Sequence, residues 1–231
     1  MRTLTVFWEL FTDVYNISMS PLKTPSHRSA GRPRLFDREA ALEIALDRFW
    51  RQGFEGTSTS QLTAAMGISQ PSLYAAFGSK EQLYREAVSL YVQRHGQFLD
   101  KAFSAHLSAR EAIFHALLLA ARQYSDTTHA PGCMIASAGL QGGADHAALF
   151  AEMAGLRLNG QRAIHARLEQ ARLDGELAAD TDTAALAGYF AMVIQGMAVQ
   201  ATDGANASAL EAMATRAMTA WPSKDSNSST R

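Results

Sequence analysis

The stretch Thr57–Lys80, TSTSQLTAAMGISQPSLYAAFGSK, predicts two short helices separated by a glycine turn. Ser58 and Ser69 belong to a residue type that caps helix N-termini, because the hydroxyl accepts from a free amide of the first turn. Gly67 follows an apolar run, at a place where a left-handed residue ends a helix. The pattern therefore predicts a helix-turn-helix whose second helix is Gln70–Phe77. In such motifs the second helix enters the major groove of DNA.

Helix signals continue on both sides of this stretch. Asp37 is placed to cap a first helix, which carries an apolar stripe and ends at Gly53. Ser79 and Gln82 form an S-x-x-Q capping box, and a fourth helix is predicted from Ser79 to about Phe103. Because that helix begins beside the motif and ends well into the C-terminal half, it would connect two domains.

The rest of the chain is rich in Ala and Leu at helical spacing, with no strand alternation and no repeat. The predicted fold class is all-α, with an N-terminal three-helix helix-turn-helix domain and a larger helical domain. In the long predicted helix Asp145–Gly175, any interruption is expected near Gly155 or Gly160. The predicted helices of the larger domain are Ala109–Ser125, a short one from Gly132, Asp145–Gly175, Asp182–Thr202 and Asn206–Trp221.

Four segments follow from this division of the chain. Residues 1–30 are predicted to be a disordered extension with a basic arm, and residues 31–84 the DNA-binding domain. Residues 85–222 are predicted to form the ligand-binding and dimerisation domain, and residues 223–231 a disordered tail. The first eighteen residues allow two interpretations, a weak amphipathic helix or a segment upstream of a natural start at Met19.

Basic residues are concentrated ahead of the motif, although the whole chain has a formal net charge of −1. Residues 20–90 contain nine Lys or Arg against seven Asp or Glu, and residues 91–231 contain eleven against thirteen. The segment Gly31–Arg34, GRPR, is typical of an arm that lays Arg32 and Arg34 along a narrow A·T-rich minor groove. By itself, GRPR is also typical of a solvated basic tail, but its place directly ahead of a helix-turn-helix favours the arm.

The run Gly67–Leu83, GISQPSLYAAFGSKEQL, matches a family signature nearly position for position. Together with GRPR, the stripe of the first helix and Gly53–Ser58 (GFEGTS), it makes residues 31–91 resemble the DNA-binding domain of TetR/AcrR-type transcriptional regulators. The resemblance implies a cytoplasmic, homodimeric, ligand-responsive DNA-binding regulator that functions as a repressor. Ala75 and Ala76 depart from the family pattern, where polar or histidine side chains are frequent, and so leave fewer groups to read bases.

Polar residues of the motif are the predicted DNA contacts. Gln70 and Ser72 are expected to reach base edges, whereas hydroxyls would bond phosphate oxygens. Lys80 adds a positive charge at a helix N-terminus, where free amides already favour an anion. Tyr74 has an alternative interpretation as a core tyrosine with a satisfied hydroxyl. The full predicted set is Arg32, Arg34, Thr57, Ser58, Ser69, Gln70, Ser72, Tyr74 and Lys80.

The two C-terminal helices are the predicted dimer interface. A helix as uniformly apolar as Asp182–Thr202 must be covered on most sides, and a second subunit would supply part of that cover. Two-fold symmetry would then place two recognition helices about 34 Å apart on a palindromic operator. The alternative is that Asp182–Thr202 is an internal core helix of a monomer.

A small hydrophobic or aromatic effector is expected in the helical domain, because soft and polar groups lie among apolar ones there. Cys133 follows Pro131–Gly132 near a helix N-terminus, where a thiol could sense electrophiles, or it is simply a small buried residue. The candidate ligand-binding residues are His115, Tyr124, Cys133, Met153, His165, Met192 and Gln195.

Several function classes are disfavoured by the sequence. The seven histidines show no paired spacing with a carboxylate or thiol that would define a metal site, so no metal or cofactor is expected. Nucleophile-elbow, phosphate-loop and zinc-protease motifs are lacking, so an enzyme is not expected. A single cysteine fits a reducing cytosol, and no membrane association is predicted. The competing hypothesis is an all-helical small-molecule-binding protein or enzyme that does not bind DNA.

Overall fold

A computed structural model of the chain describes residues 36–138 and 143–222. The basic arm with Arg32 and Arg34, the first eighteen residues and the tail 223–231 lie outside the described residues. Within the described ranges every regular element is helical, which confirms the predicted all-α class. The helices are α1 Arg38–Gln52, α2 Thr59–Met66, α3 Gln70–Phe77, α4 Lys80–His95, α5 Phe98–Ser104, α6 Ala109–Tyr124, α7 Met134–Ser137, α8 Ala147–Leu173, α9 Thr183–Thr202 and α10 Ala207–Ala217.

Side-chain caps fix where most of these helices begin. Asp37 accepts hydrogen bonds from the amides of Glu39 and Ala40 at the start of α1. Ser58 and Gln61 form a complete capping box at the start of α2. The N-caps of α3 and α4 are Ser69 and Ser79, as the sequence predicted. These bonds satisfy amides that have no partner inside the helix.

One predicted helix limit is wrong, and the long helix is not interrupted. The fourth helix does not run unbroken to Phe103, because α4 ends at His95 and the chain restarts as α5 at Phe98. Gly96 and Gln97, with ψ near 0°, interrupt the helical path between them. The long helix α8 is continuous from Ala147 to Leu173, so neither Gly155 nor Gly160 breaks it.

Two clusters of buried side chains make up the core. The C-terminal cluster is built from α5, α6, α8, α9 and α10. The N-terminal cluster contains the inward faces of α1–α4, and it also takes in Met134 from α7 and Leu149 and Met153 from α8. The second predicted domain begins at residue 85, but α4 continues through this position and the N-terminal cluster contains residues from both sides of it. The two predicted domains therefore share a packed boundary.

Specific contacts hold the first four helices against the rest of the chain. The Trp50 ring of α1 stacks on His129 at 4.5 Å between centroids. Arg85 of α4 forms a bidentate ion pair with Glu152 of α8, with nitrogen–oxygen distances of 2.9 and 3.0 Å. The 3₁₀ turn Ala144–His146 brings a histidine nitrogen to 2.8 Å from a Glu81 carboxylate oxygen.

Helix α9 is the most apolar helix of the described chain that reaches 18 residues. By length and composition alone, α9 is long and apolar enough to cross a membrane, since its most apolar stretch of 18 residues has a mean hydropathy of 1.4. Of that stretch, 39% is buried inside the protein. Ala187, Phe190 and Ile194 belong to the C-terminal cluster, whereas Met192 and Val199 remain exposed. The helix therefore has one face in the core and one apolar face open to the surroundings.

Candidate nucleic-acid interface

Helix α3 presents one polar face and buries the other. Leu73 and Phe77, four residues apart, point into the N-terminal cluster and are 0% and 3% exposed. The side chains of Gln70, Tyr74 and Ala75 are exposed. Tyr74 is 41% exposed, so it is not a core tyrosine. A free polar face on a short helix held by two buried side chains matches what a groove-reading helix requires.

The polar side chains of that face are tied to one another. The Gln70 amide nitrogen donates to the Tyr74 hydroxyl at 3.1 Å, across one turn of α3. At the N-terminus, the Ser69 hydroxyl accepts from the Ser72 amide and lies 2.8 Å from the Ser72 hydroxyl. These bonds reduce the rotamer freedom of the side chains before any partner binds, which lowers the entropic cost of binding.

The turn between α2 and α3 depends on a glycine. Gly67 has φ 66° and ψ 31°, the left-handed conformation predicted for it, and its amide donates back to α2. Among the described residues, no neighbouring atom lies within 4 Å of where a Cβ would stand. The requirement for glycine here therefore comes from backbone conformation and not from crowding.

Two of the predicted phosphate-binding hydroxyls behave differently. Thr57 is 0% exposed, and its hydroxyl donates to the Gly53 carbonyl at 2.7 Å. The prediction that this side chain bonds a phosphate is wrong, because the hydroxyl is used to hold the turn ahead of α2. Ser58 is exposed, and its oxygen accepts from the Gln61 amide, which leaves the hydroxyl hydrogen available to an outside acceptor.

Lys80 lies at the first position of α4, next to α3. Its ammonium nitrogen is 4.1 Å from the centre of the Phe54 ring, a cation–π contact. Partial burial lowers the pKa of Lys80, and the nearby Glu55 carboxylate opposes that shift. To bond a phosphate as predicted, the Lys80 ammonium must therefore move away from the Phe54 ring or contact the ring and the phosphate at the same time.

Arg38, in the first turn of α1, is a residue of this region that sequence reasoning did not single out. Its guanidinium reaches across to the last turn of α3 and to Glu86 of α4. No local sequence pattern announces this contact, because Arg38 and Ala76 are 38 positions apart. An arginine in the first turn of a helix, where the dipole disfavours a cation, was the one available signal.

Comparison with known proteins agrees with this geometry. A family model described as "Bacterial regulatory proteins, tetR family" matches residues 41–87, which span most of α1 through the middle of α4. The chain is 40% identical to the TetR-family regulator CifR, solved with a 26-base-pair operator duplex. It superposes on that structure with a TM-score of 0.79, and the match covers 83% of this chain and all of that one. The chain belongs to the TetR family.

Two curated relatives support the same assignment. ComR of Escherichia coli K12, an HTH-type transcriptional repressor, is 29% identical over 84% of this chain and 93% of its own length. YezE of Bacillus subtilis 168, an HTH-type transcriptional regulator, is 30% identical over 69% of this chain and 82% of its own. The resemblance stated from residues 31–91 is thereby confirmed. TetR-family proteins are DNA-binding transcriptional regulators and not enzymes.

The residues predicted to bind an effector do not converge on one cavity. Tyr124 is buried in the C-terminal cluster, Met153 is buried in the N-terminal one, and Met192 is 61% exposed. His115 is half-buried on α6, and its Nδ1 is a buried atom with no partner among the described residues. Gln195 is half-buried on α9. The structure therefore does not bring the seven candidates together at one place, and the part that each plays in effector binding stays a prediction.

Cys133 lies where the two buried clusters meet. Its sulfur accepts a hydrogen bond from the Tyr91 hydroxyl at 3.2 Å. Burial raises the pKa of Tyr124 well above its ordinary value, and the neighbouring Cys133 adds to the shift. The helix behind the thiol, α7, has only four residues, so it supplies little dipole. Cys133 thus contacts both Tyr91 and Tyr124 at the boundary between the clusters.

His165 lines a different feature, a shallow groove of about 180 Å³ between α8 and α9. The other lining residues are Leu158, Gln161, Arg162, Ala184 and Ala187. A His165 ring nitrogen lies 3.2 Å from the Thr183 hydroxyl. Within residues 36–138 and 143–222, no group of three or more His, Cys, Asp or Glu is placed to hold a metal.

Proposed function

We propose that this TetR-family protein is a homodimeric repressor that binds a palindromic operator through α3 and is released by a small effector. The observation that carries the proposal is the exposed, pre-ordered polar face of α3, with Gln70 bonded to Tyr74 over a buried Leu73 and Phe77. The relatives support the repressor role, since ComR is an HTH-type transcriptional repressor and CifR was solved on operator DNA.

In this proposal the contacts divide by groove and backbone. Gln70 and Ser72 reach base edges in the major groove, and the Tyr74 hydroxyl, Ser58 and Lys80 bond phosphate oxygens. The methyl group of the exposed Ala75, which follows Tyr74, packs against a thymine methyl in this proposal. Because few of these groups carry a charge, the arm with Arg32 and Arg34 would supply a large share of the electrostatic affinity.

The proposed dimer forms around the exposed face of α9. Met192 and Val199 are exposed on that face, together with Gly196, and no described atom outside α9 lies within 4 Å of a Cβ built at Gly196. A small residue there would let a partner helix approach closely. The flanking helices also expose large apolar side chains, Leu158 on α8 and Met213 on α10. Both neighbours of α9 can therefore border the interface.

Regulation would use the contacts that tie α4 to the helical domain. Arg85 bonds Glu152 of α8, and Glu81 bonds His146 just before α8, so a shift of α8 would be transmitted to α4 and then to α3. We expect a hydrophobic or aromatic effector to favour a conformer in which the two α3 helices are wrongly spaced. A hundredfold loss of operator affinity requires the effector to bind that conformer about 2.7 kcal/mol more tightly.

The test is a mobility-shift titration on the DNA upstream of the protein's own gene, repeated over a salt series. The proposal expects a discrete complex that a scrambled duplex does not displace and that weakens steeply with salt. Gln70→Ala should reduce this affinity, whereas Gln170→Ala on the exposed side of α8 should not. Displacement by the scrambled duplex at equal concentration, or no complex at low salt, would contradict the proposal and favour a helical binding protein of the cytoplasm that does not use DNA.

A further inference from the structure

Arg38 links three helices of the DNA-binding half through one guanidinium group. Its Nε donates to the carbonyl of Ala76, in the last turn of α3, at 3.3 Å. A terminal nitrogen donates to both carboxylate oxygens of Glu86 on α4, at 2.7 Å each. The guanidinium carbon also lies 4.4 Å from the centre of the Phe77 ring, close enough for cation–π attraction.

The bond to Ala76 satisfies one of the last carbonyls of α3. The last carbonyls of a helix have no partner inside it, and a positive charge placed there is favoured by the helix dipole. Here the Tyr74 carbonyl accepts from the Gly78 amide and the Phe77 carbonyl from the Ser79 amide. The Ala76 carbonyl takes its bond from Arg38, a side chain of another helix.

Two buried side chains alone leave the orientation of α3 weakly defined. The helix has only eight residues, and Leu73 and Phe77 are the side chains it buries. A short helix held mainly by two buried side chains on one face, with Ala76 only partly buried beside them, can still roll about them. Arg38 adds a third attachment, because it bonds the backbone at the C-terminal end and covers the ring of Phe77. The roll of α3 determines where Gln70 and Tyr74 point.

We propose that Arg38 is a positioning residue for sequence recognition: it fixes the orientation of α3 without contacting DNA. The inference rests on the proposed function of α3 as the recognition helix. The Arg38 charge is neutralised at close range by Glu86, and both side chains are about one-third exposed. Arg38 therefore sets how well α3 distinguishes its sequence from others, and not how strongly the protein attracts DNA in general.

The experiment compares Arg38→Met with Arg38→Lys and uses Arg51→Met as the matched control. Arg51 lies on the same helix, but its guanidinium pairs with Asp47 of that helix and is half exposed. The probes are the duplex that the wild-type protein enriches from a random library and a scrambled duplex of equal length. Affinities for both are measured by fluorescence anisotropy over a salt series, with unfolding temperatures measured in parallel.

For Arg38→Met, the expected result is a fall of about tenfold or more in the specific-to-scrambled affinity ratio, the size of one lost base contact. The salt slope should stay the same, because no phosphate contact is lost. A lysine side chain at this position would keep a charge beside Glu86 but lacks the planar fork, so Arg38→Lys should recover unfolding temperature more than the ratio. Arg51→Met should leave the ratio unchanged.

Three results would overturn the inference. One is an unchanged ratio in Arg38→Met. Another is a parallel loss of both affinities with a slope reduced by about 1, which would make Arg38 a phosphate contact. The third is complete recovery of the specific-to-scrambled affinity ratio in Arg38→Lys, because a lysine keeps the charge beside Glu86 but lacks the planar fork. The Arg38→Lys variant also provides the test if Arg38→Met does not fold. If the wild-type protein enriches no duplex, the proposed function fails, and this outcome is distinct from all three.

Discussion

Replacing Met192 by Ser should weaken the dimer without unfolding the subunit. The Met192 side chain is 61% exposed in the single chain, so its core contacts contribute little to folding. Complete burial of a Met side chain is worth about 1.5–3 kcal/mol. The exposed part would therefore contribute about 1–2 kcal/mol on association, and two-fold symmetry doubles this to about 2–4 kcal/mol. The dimer dissociation constant should rise by roughly 30-fold to several hundredfold.

Sedimentation equilibrium on Met192→Ser measures this change, with thermal unfolding measured in parallel at fixed concentration. Leu173→Ser is the matched control, because Leu173 is also highly exposed but ends α8 at the far end from the middle of α9. Operator affinity should fall in step with dimer dissociation when protein concentration lies between the two dissociation constants. A dissociation constant within threefold of the wild-type value would refute α9 as the centre of the interface.

Three further changes test the site and the core. Tyr74→Ala should reduce affinity for the operator by about tenfold or more at an unchanged unfolding temperature, since the side chain is exposed and supports Gln70; undiminished binding would remove Tyr74 from the interface. Lys80→Ala should lower the salt slope of binding by about 1, measured by anisotropy, and an unchanged slope would mean that Lys80 stays on the Phe54 ring. Gly132→Ala should lower the free energy of unfolding by about 2 kcal/mol or more. The residue has φ 77°, and its new Cβ would lie 2.7 Å from the Ala198 carbonyl oxygen, so a normal denaturation midpoint would contradict the packing.

Acid should weaken the contact between the halves at Glu81. Its hydrogen bond with His146 lowers the pKa of the Glu81 carboxyl, and Arg85 adds to the shift. A carboxyl with a depressed pKa stabilises the folded state above its unfolded pKa, and this stabilisation is lost as pH falls through the folded value. The stability difference between wild type and Glu81→Ala should therefore be present at pH 7 and shrink below about pH 4. A difference that persists unchanged at pH 3 in urea titrations would contradict this account.

The sequence predicted the parts of the fold that depend on nearby residues. Caps such as Asp37 and Ser69, and the left-handed Gly67, are decided within four positions, so their chemistry is visible in the chain itself. The limits of α3 followed directly from them. The sequence also resembled its family strongly enough at residues 67–83 to indicate the function class.

Features set by long-range packing were not predictable in the same way. Thr57 has the residue type of a phosphate ligand, but the turn at Gly53 buries it and takes its hydroxyl. Arg38 contacts Ala76 only because folding brings the start of α1 close to the end of α3. The candidate effector residues were chosen for their chemistry on separate helices, and the packing places Tyr124, Met153 and Met192 in three different surroundings.

The central claim, that the paired α3 helices read a two-fold DNA site, is tested most directly by selection. The wild-type protein is incubated with a random duplex library at physiological salt, and the bound duplexes are sequenced over several rounds. We expect enrichment of inverted half-sites with centres about 34 Å, or one helical turn, apart, and loss of that enrichment in Gln70→Ala. Enrichment of no sequence, or of the same sequence by Gln70→Ala, would contradict it.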